Sequence, residues 1–187
     1  MTSNMGHLLW SGIVDDDKAE IIVKQLMSSH LYSGWGIRTL SIQDRGYNPI
    51  EYHNGTVWPH DNSLIAEGLI RYGYRDEANR IIVNLLEASK YFDNRFPEVF
   101  AGYQRSEVDF PVSYPTSSLP QAWAAGSSIL FLRLILGLEP DRKKENIRIN
   151  SHLPAAIEDI CVENIRLFDK NFSVFVGKGR SEVRLSD

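Results

Sequence analysis

The sequence predicts a mainly α-helical body followed by a small antiparallel β-sheet. Two observations lead to this prediction. Apolar residues recur with the 3.6-residue spacing of a helix as far as Leu138, and after Asn146 short stretches alternate between apolar and polar side chains, as strands do. Helices first and strands last are typical of segregated α and β layers. We therefore expect a helical domain at residues 1–141 and a β extension at residues 142–187.

Three predicted helices each carry one apolar stripe. The first runs from Asp17 to Met27, the second from Asp61 to Tyr72 and the third from Asp76 to Ala88. Gly73 follows the second helix, where a left-handed residue commonly ends a helix. The short connection predicts that the second and third helices form a helical hairpin.

The fourth predicted helix, Leu119–Leu138, is apolar all round in its second half. A membrane span is the alternative, because a span needs about 20 mostly apolar residues. Gln121 and Arg133 interrupt the run, however, together with Gly126. An inner helix covered on most sides by other helices is the better interpretation.

The alternating segments at the carboxyl end predict short strands joined by turns at residues 169–171 and 177–179. These strands are Asn146–Asn150, Ile160–Leu167, Phe172–Val176 and Glu182–Leu185.

Bulk properties exclude several classes of function. The 187-residue chain has a formal net charge of -4 and scattered basic residues, which argues against nucleic-acid binding. A single cysteine, Cys161, excludes an internal disulfide framework. Because no basic and apolar signal peptide precedes the body, we expect a cytoplasmic protein.

The segment Asn48–Asn62 concentrates unusual residues without any apolar period, which predicts an ordered loop. It combines Tyr and Trp with His, acids and amides. Sugars present apolar C–H faces to aromatic rings and hydroxyls to polar groups, so this composition suits a sugar ligand. Trp58 in this loop and Trp35 in an earlier one are candidate sugar platforms, although single tryptophans are more often core residues.

Glu98 is the acid that stands out. Phe96, Val99 and Phe100 surround it in sequence, and burial among them would raise its pKa, as general acid/base catalysis often requires. The alternative is an outward-facing Glu, or one paired with a neighbouring Arg.

Two further polar clusters have alternatives to a ligand role. Ser118-Leu119-Pro120-Gln121 has the pattern of a capping box, so Gln121 is expected to cap the fourth helix. His53, His60 and Asp61 match no zinc spacing, and we expect no metal and no cofactor.

Four motifs follow one another in a distinctive order: GWGIRTL (34–40), YHNGTVWPHDN (52–62), RFPEVFAGY (95–103) and YPTSSLPQAW (114–123). In this order they resemble the carboxyl-terminal part of bacterial glycogen-debranching-like proteins of the amylo-α-1,6-glucosidase type. That family belongs with trehalases, glucoamylases and mannosylglycerate hydrolases among the six-hairpin, or (α/α)6-barrel, glycosidases.

The resemblance implies a partial (α/α)6 toroid and an inverting hydrolase of α-glucosides or related α-linked sugars. It places the general base at Glu98. It also implies a sugar pocket lined by Trp35, Arg38, Asn54, Trp58, His60, Asp61, Tyr103, Gln121 and Trp123.

The family's general acid lies upstream of the matched region, so we expect a carboxyl-terminal fragment that is inactive alone. A half-toroid exposes inner helices, which predicts self-association or pairing with the missing amino-terminal half. The alternatives are a non-catalytic carbohydrate-binding remnant and an oligomeric scaffold.

Overall fold

The computed structural model describes residues 1–177 and 179–186. The chain divides into two compact units, Met1–Leu130 and Phe131 onward. The elements among the described residues are α1 (Asn4–Ser11), α2 (Asp16–Leu26), α3 (Pro59–Arg71), α4 (Arg75–Ser89), a 3-10 turn (Lys90–Phe92), α5 (Ala122–Leu136), β1 (Leu138–Asp141), β2 (Asn146–Ile149), β3 (Asp159–Leu167), β4 (Lys170–Gly177) and β5 (Arg180–Ser186).

The first unit is built from α1 to α4 and the long loops between them. The three predicted helices with one apolar stripe are confirmed as α2, α3 and α4, and Gly73 has the expected positive φ of 88°. Their apolar stripes supply the core of this unit, where Leu26, Ile65 and Ile81 are fully buried. The helix α1 was not anticipated from the sequence.

Two glycines allow α1 and α3 to pack at very close range. A Cβ atom on Gly68 of α3 would lie 2.6 Å from the backbone nitrogen of Trp10, and one on Gly6 of α1 would lie 2.4 Å from Cγ1 of Ile65. Any side chain at these positions would push the helices apart. This contact fixes α1 against the middle and the carboxyl-terminal half of α3.

Single antiparallel bridges tie the long loops side by side. Arg38 bridges to Val57, Val57 to Phe100 and Phe100 to Ser113. Between Val57 and Phe100 the two backbone hydrogen bonds measure 2.9 and 3.0 Å. The loops that carry the four sequence motifs are therefore held in register by backbone contacts, although they contain no long strand.

The helix α5 is shorter and more exposed than predicted. It begins at Ala122 rather than Leu119, and its first half leaves one face in solvent, with Ile129 70% exposed. The prediction of an inner helix covered on most sides is therefore wrong for this half of the helix. Among the described residues no helix is long and apolar enough to cross a bilayer.

The second unit contains two antiparallel sheets, where the sequence predicted one. The strands β1 and β2 pair with each other, and β3, β4 and β5 form a sheet with β4 in the centre. Phe168 and Asp169 both have positive φ and form the two-residue turn between β3 and β4. The turn predicted at 177–179 includes Lys178, which lies outside the described residues. Leu136, Val174 and Val176 form the buried centre of this unit.

Candidate active site

A cleft of about 420 Å³ opens in the first unit beside the amino-terminal ends of α1 and α3. Four predicted site residues line it: Trp58, His60 and Asp61 of the WPHDN segment, and Trp123 at the start of α5. The lining residues are Thr2, Ser3, Asn4, His7, Thr39, His53, Trp58, His60, Asp61 and Trp123. Aromatic and polar groups therefore face the same space, as sugar recognition requires.

Ring contacts order the aromatic part of the cleft. The imidazole of His60 stacks on Trp123 with ring centroids 4.5 Å apart, and His53 lies parallel to Trp58 at 5.5 Å. Trp58 and Trp123 meet edge to face at 6.2 Å. Trp58 is buried and donates its indole N–H to Thr56 and to the carbonyl of Tyr52, whereas Trp123 is 46% exposed. Burial lowers the pKa of His60, so this ring is held as a neutral stacking partner at neutral pH.

Glu98 lies next to this cluster through Tyr52. The Tyr52 hydroxyl donates a hydrogen bond to one carboxylate oxygen of Glu98, and the backbone N–H of Ser118 donates to the other at 3.1 Å. The Tyr52 ring in turn contacts Trp58 edge to face, with centroids 4.7 Å apart. Neither Tyr52 nor Glu98 is among the residues that line the cleft, and Glu98 is half-exposed.

These contacts shift the pKa values of Glu98 and Tyr52 in opposite directions. The hydrogen bond from Tyr52, helped by the one from Ser118, lowers the pKa of Glu98. The same contact raises the pKa of Tyr52 to about 12. The expectation that burial raises the pKa of Glu98 is therefore wrong, because donors to the carboxylate outweigh desolvation. Glu98 is ionised at neutral pH, as a general base must be.

Asp61 meets His7 across the contact between α1 and α3. The Nε2 atom of His7 donates to Oδ1 of Asp61 at 2.5 Å. This hydrogen bond raises the pKa of His7, against the opposing effect of burial. The other carboxylate oxygen of Asp61, Oδ2, is buried and has no hydrogen-bond partner among the described residues.

Two predicted pocket residues lie in the interior, outside the lining of the cleft. Arg38 is 1% exposed and donates to the carbonyl of Gly102 at 2.5 Å and to the side chain of Gln104 at 2.7 Å, so it connects the GWGIRTL motif to the end of the RFPEVFAGY motif. Trp35 is 2% exposed, and the guanidinium of Arg105 covers its ring at 4.1 Å. Their predicted contact with sugar stays a prediction.

The remaining predicted residues also lie outside the cleft lining. Asn54 donates to the side chain of Glu51 within a turn, and Tyr103 is half-buried. Gln121 does cap α5, because its Oε1 accepts the backbone N–H of Ala124 at 2.9 Å. It does so from the position before the helix, and the predicted capping box starting at Ser118 is wrong, since α5 begins at Ala122.

Sequence reasoning missed Tyr52 and His7. Tyr52 belongs to the same loop as Trp58, but its partner Glu98 is 46 residues away. His7 is 54 residues from Asp61 and lies on the unanticipated helix α1. Among the described residues no group of three or more His, Cys, Asp and Glu side chains is arranged to hold a metal ion.

Comparison with known proteins identifies the family. A family model described as the mannosylglycerate hydrolase MGH1-like glycoside hydrolase domain matches residues 2–107. The mannosylglycerate hydrolase of Rubrobacter radiotolerans is 30% identical over 103 residues, which are 51% of this chain and 23% of that protein. The chain thus spans about a quarter of the length of this curated relative.

Solved structures share the fold at low identity. The GH63 mannosylglycerate hydrolase of Thermus thermophilus, in complex with Tris, superposes with a TM-score of 0.54 at 19% identity, covering 71% of this chain and 29% of that one. For the neutral trehalase Nth1 of Saccharomyces cerevisiae the TM-score is 0.53 at 20% identity, with 72% and 23% covered. A sialidase gives 0.68 at 15% identity, with 95% and 18% covered.

These findings support the six-hairpin glycosidase resemblance and do not support its narrower glycogen-debranching form. The matched segment contains the WPHDN residues of the cleft and Glu98. The chain belongs to the family of mannosylglycerate hydrolase MGH1-like glycoside hydrolase domains.

Proposed function

We propose that this chain carries the sugar cleft and the general base of an inverting glycoside hydrolase, within a partial (α/α)6 toroid. The single observation that supports this most directly is the state of Glu98. Its carboxylate accepts hydrogen bonds from Tyr52 and Ser118, which favour the ionised form, and the Tyr52 ring contacts Trp58 of the cleft lining. A base that deprotonates the attacking water needs this ionised state.

The proposed substrates are α-linked hexosides. The cleft volume of about 420 Å³ falls in the roughly 300–1,000 Å³ range of small-molecule sites. The curated relatives are named mannosylglycerate hydrolases, so α-mannosylglycerate is the first substrate to test. α-Glucosides, including α-1,6-linked ones, come second, because the four loop motifs resemble the amylo-α-1,6-glucosidase type.

An inverting hydrolase also needs a general acid, about 6.5–9.5 Å from the base. Among the described residues that line the cleft, Asp61 is the one carboxylate, and it already accepts a hydrogen bond from His7. We assign the acid to a segment outside this chain. General acid assistance contributes about 10²–10⁴-fold, so the isolated chain should show little or no turnover.

The test combines the chain with the part of the Rubrobacter radiotolerans hydrolase that it does not match, fused or supplied in trans. Turnover of α-mannosylglycerate should appear, disappear in Glu98→Gln and survive in Glu163→Gln, an exposed residue of β3. Proton NMR of the first product should show the β-anomer. Activity that survives Glu98→Gln overturns the base assignment, and an α-anomer overturns inversion.

A non-catalytic carbohydrate-binding role is the second candidate. The observation in its favour is that Trp58, His60 and Trp123 form the aromatic cleft without any contribution from Glu98. Calorimetry on the isolated chain separates the candidates. Binding of methyl α-mannoside without turnover in any combination favours the binding role, and the absence of both binding and turnover contradicts both.

A further inference from the structure

The segments that carry Tyr52 and Glu98 cross each other at two glycines. Gly55 lies three residues after Tyr52, and Gly102 lies four residues after Glu98. A Cβ atom on Gly102 would lie 1.7 Å from the carbonyl oxygen of Gly55, so the two backbones touch with no side chain between them. The N–H of Gly102 also donates to the carbonyl of Pro49 at 2.8 Å. This glycine crossing fixes the segment of the proposed base against the segment of its hydrogen-bond donor.

Arg38 holds the glycine crossing from a third segment. Its Nε atom donates to the carbonyl of Gly102 at 2.5 Å, and the Tyr47 hydroxyl donates to the same oxygen at 3.2 Å. The Nη2 atom donates to the side chain of Gln104 at 2.7 Å, and Nη1 donates to the carbonyl of Ser29 at 3.3 Å. A planar guanidinium holds several acceptors at fixed angles, which the compact ammonium of a lysine does not.

The charge of Arg38 is buried among neutral acceptors. The side chain is 1% exposed, and its three hydrogen bonds go to two carbonyls and one amide. Burial lowers the pKa of the guanidinium, because removing a charge from water costs free energy. Arg38 lies outside the described lining of the cleft, so a sugar in the cleft does not account for this charge. The directional hydrogen bonds at the glycine crossing do account for it.

Each half of the Tyr52–Glu98 contact is fixed by hydrogen bonds of its own. The carbonyl of Tyr52 accepts the Thr56 hydroxyl at 2.7 Å, and the backbone N–H of Glu98 donates to the carbonyl of Ser118 at 3.0 Å. The position of one half relative to the other is therefore set where the two segments meet. They meet at one backbone bridge and at the glycine crossing, where Arg38 is bound.

We propose that Arg38 is a positioning residue for the proposed general base. Through the glycine crossing it holds the Glu98 segment where the Tyr52 hydroxyl reaches the carboxylate. This inference rests on the proposed function, because it concerns the base of that reaction. It assigns Arg38 a role other than the sugar contact that the family resemblance implies. Such a role affects the rate, since a displacement of about 1 Å at a reacting group can cost roughly 100-fold.

The first experiment measures the pKa of the Glu98 carboxyl group by carbon NMR in the isolated chain. Arg38→Met removes all three hydrogen bonds of the guanidinium. The lowered pKa of Glu98 should then rise towards its ordinary value, because the contact with Tyr52 lengthens. Arg38→Lys keeps the charge without the planar fork, so it should shift the pKa part of the way. Leu69→Ala, at a fully buried position of α3, is the control and should lose stability without moving this pKa.

Sugar affinity distinguishes positioning from sugar contact. In calorimetry with methyl α-mannoside, Arg38→Lys should keep its Kd within about twofold of the wild type. In the complemented enzyme the same variant should lose about tenfold or more in kcat with little change in KM, and the acid limb of its pH–rate profile should move to higher pH. If Arg38 contacts the sugar, Arg38→Lys weakens binding and leaves the pKa of Glu98 in place. That result overturns the positioning role.

Gly102→Ala tests the glycine crossing without removing a charge. Its Cβ atom would collide with the carbonyl of Gly55, so the two segments must separate and the pKa of Glu98 should rise as in Arg38→Met. Should Arg38→Met or Gly102→Ala fail to fold, Arg38→Lys decides the outcome. A Glu98 pKa that stays unchanged in every folded variant overturns the inference, even when the complemented enzyme is active. An inactive complemented wild type contradicts the proposed function instead, and NMR still decides whether Arg38 aligns Glu98 with its donor.

Discussion

The ionisation of Glu98 depends on one hydroxyl group. Its sequence neighbours Phe96, Val99 and Phe100 are all buried. Glu98 itself is half-exposed, and its carboxylate accepts a hydrogen bond from the Tyr52 hydroxyl. Because a phenol donates to a carboxylate far better than to a carboxylic acid, the contact favours the charged form. Tyr52 is therefore a positioning residue for the proposed base.

Tyr52→Phe should raise the pKa of Glu98 towards its ordinary value. Carbon NMR of the Glu98 carboxyl group measures this directly, and in the complemented enzyme the acid limb of the pH–rate profile should move to higher pH. The lowered folded pKa of Glu98 contributes stability above the unfolded value, and this contribution is lost as the pH falls through the folded value. The stability deficit of Tyr52→Phe should therefore shrink on acidification. Tyr91→Phe, at an exposed ring, should change neither property.

The two cleft tryptophans should respond differently to truncation. Trp123→Ala removes an exposed ring that stacks on His60, so methyl α-mannoside affinity should fall about fivefold with little loss of stability. Trp58→Ala should weaken binding and also cost about 3 kcal/mol or more in unfolding free energy, because this ring is buried and hydrogen-bonded. If the two variants are equally stable in urea, Trp58 does not have the larger structural role proposed for it. If Trp123→Ala binds methyl α-mannoside as tightly as the wild type, Trp123 is not part of the sugar site.

Local sequence predicts which residues of the site are unusual, but not which of them meet. The WPHDN segment supplies neighbouring residues to one cleft because they share the first turn of α3. The Tyr52–Glu98 and His7–Asp61 contacts join residues 46 and 54 positions apart, and their geometry is set by loop bridges and helix packing. For the same reason the direction of the Glu98 pKa shift could not be derived from its neighbours.

At the scale of elements, the contact between α1 and α3 determines the geometry of the cleft. Gly68→Ala would place a Cβ atom 2.6 Å from the nitrogen of Trp10, so α1 must move outward. We expect a loss of about 2 kcal/mol in unfolding free energy, typical of overpacking, together with a lower pKa of His7 as its contact with Asp61 lengthens. Chemical denaturation and NMR titration measure the two effects.

Gly126→Ala in α5 is the matched control, because nothing lies within 4 Å of its added Cβ atom. Alanine is the better helix former by about 1 kcal/mol, so this variant should be neutral or more stable. A Gly68→Ala protein as stable as the wild type would show that α1 can shift without cost.

The elements with strong periodicity were predictable, and the short ones were not. The stripes of α2, α3 and α4 are long enough to give a clear period. The helix α1 has eight residues and draws its stability from packing against α3 rather than from propensity. The strand β1 contains Pro140, which marks a strand break in a sequence but is tolerated in a two-stranded edge pairing.

At the scale of the whole molecule, the exposed face of α5 needs an explanation. Ala122, Ala125 and Ile129 lie on one side of the helix at three- and four-residue spacing, and all three are exposed. Small residues beside a large exposed Ile allow a close approach by another surface. The exposed apolar residues of this face are therefore where we place the expected self-association.

We propose that a second copy of this chain covers the face of α5 when no other segment is present. Sedimentation or light scattering should then show a dimer that dissociates on dilution. Ile129→Glu should give a monomer, because it would bury an unpaired charge in the contact, whereas Ile13→Glu, at an equally exposed position outside α5, should leave the dimer intact.

Trp123 adjoins this face, so dimerisation should also alter methyl α-mannoside affinity, and Ile129→Glu should remove the dependence of affinity on protein concentration. A wild-type chain that stays monomeric at high concentration would show that the exposed α5 face is stable in water and would leave sugar binding independent of association.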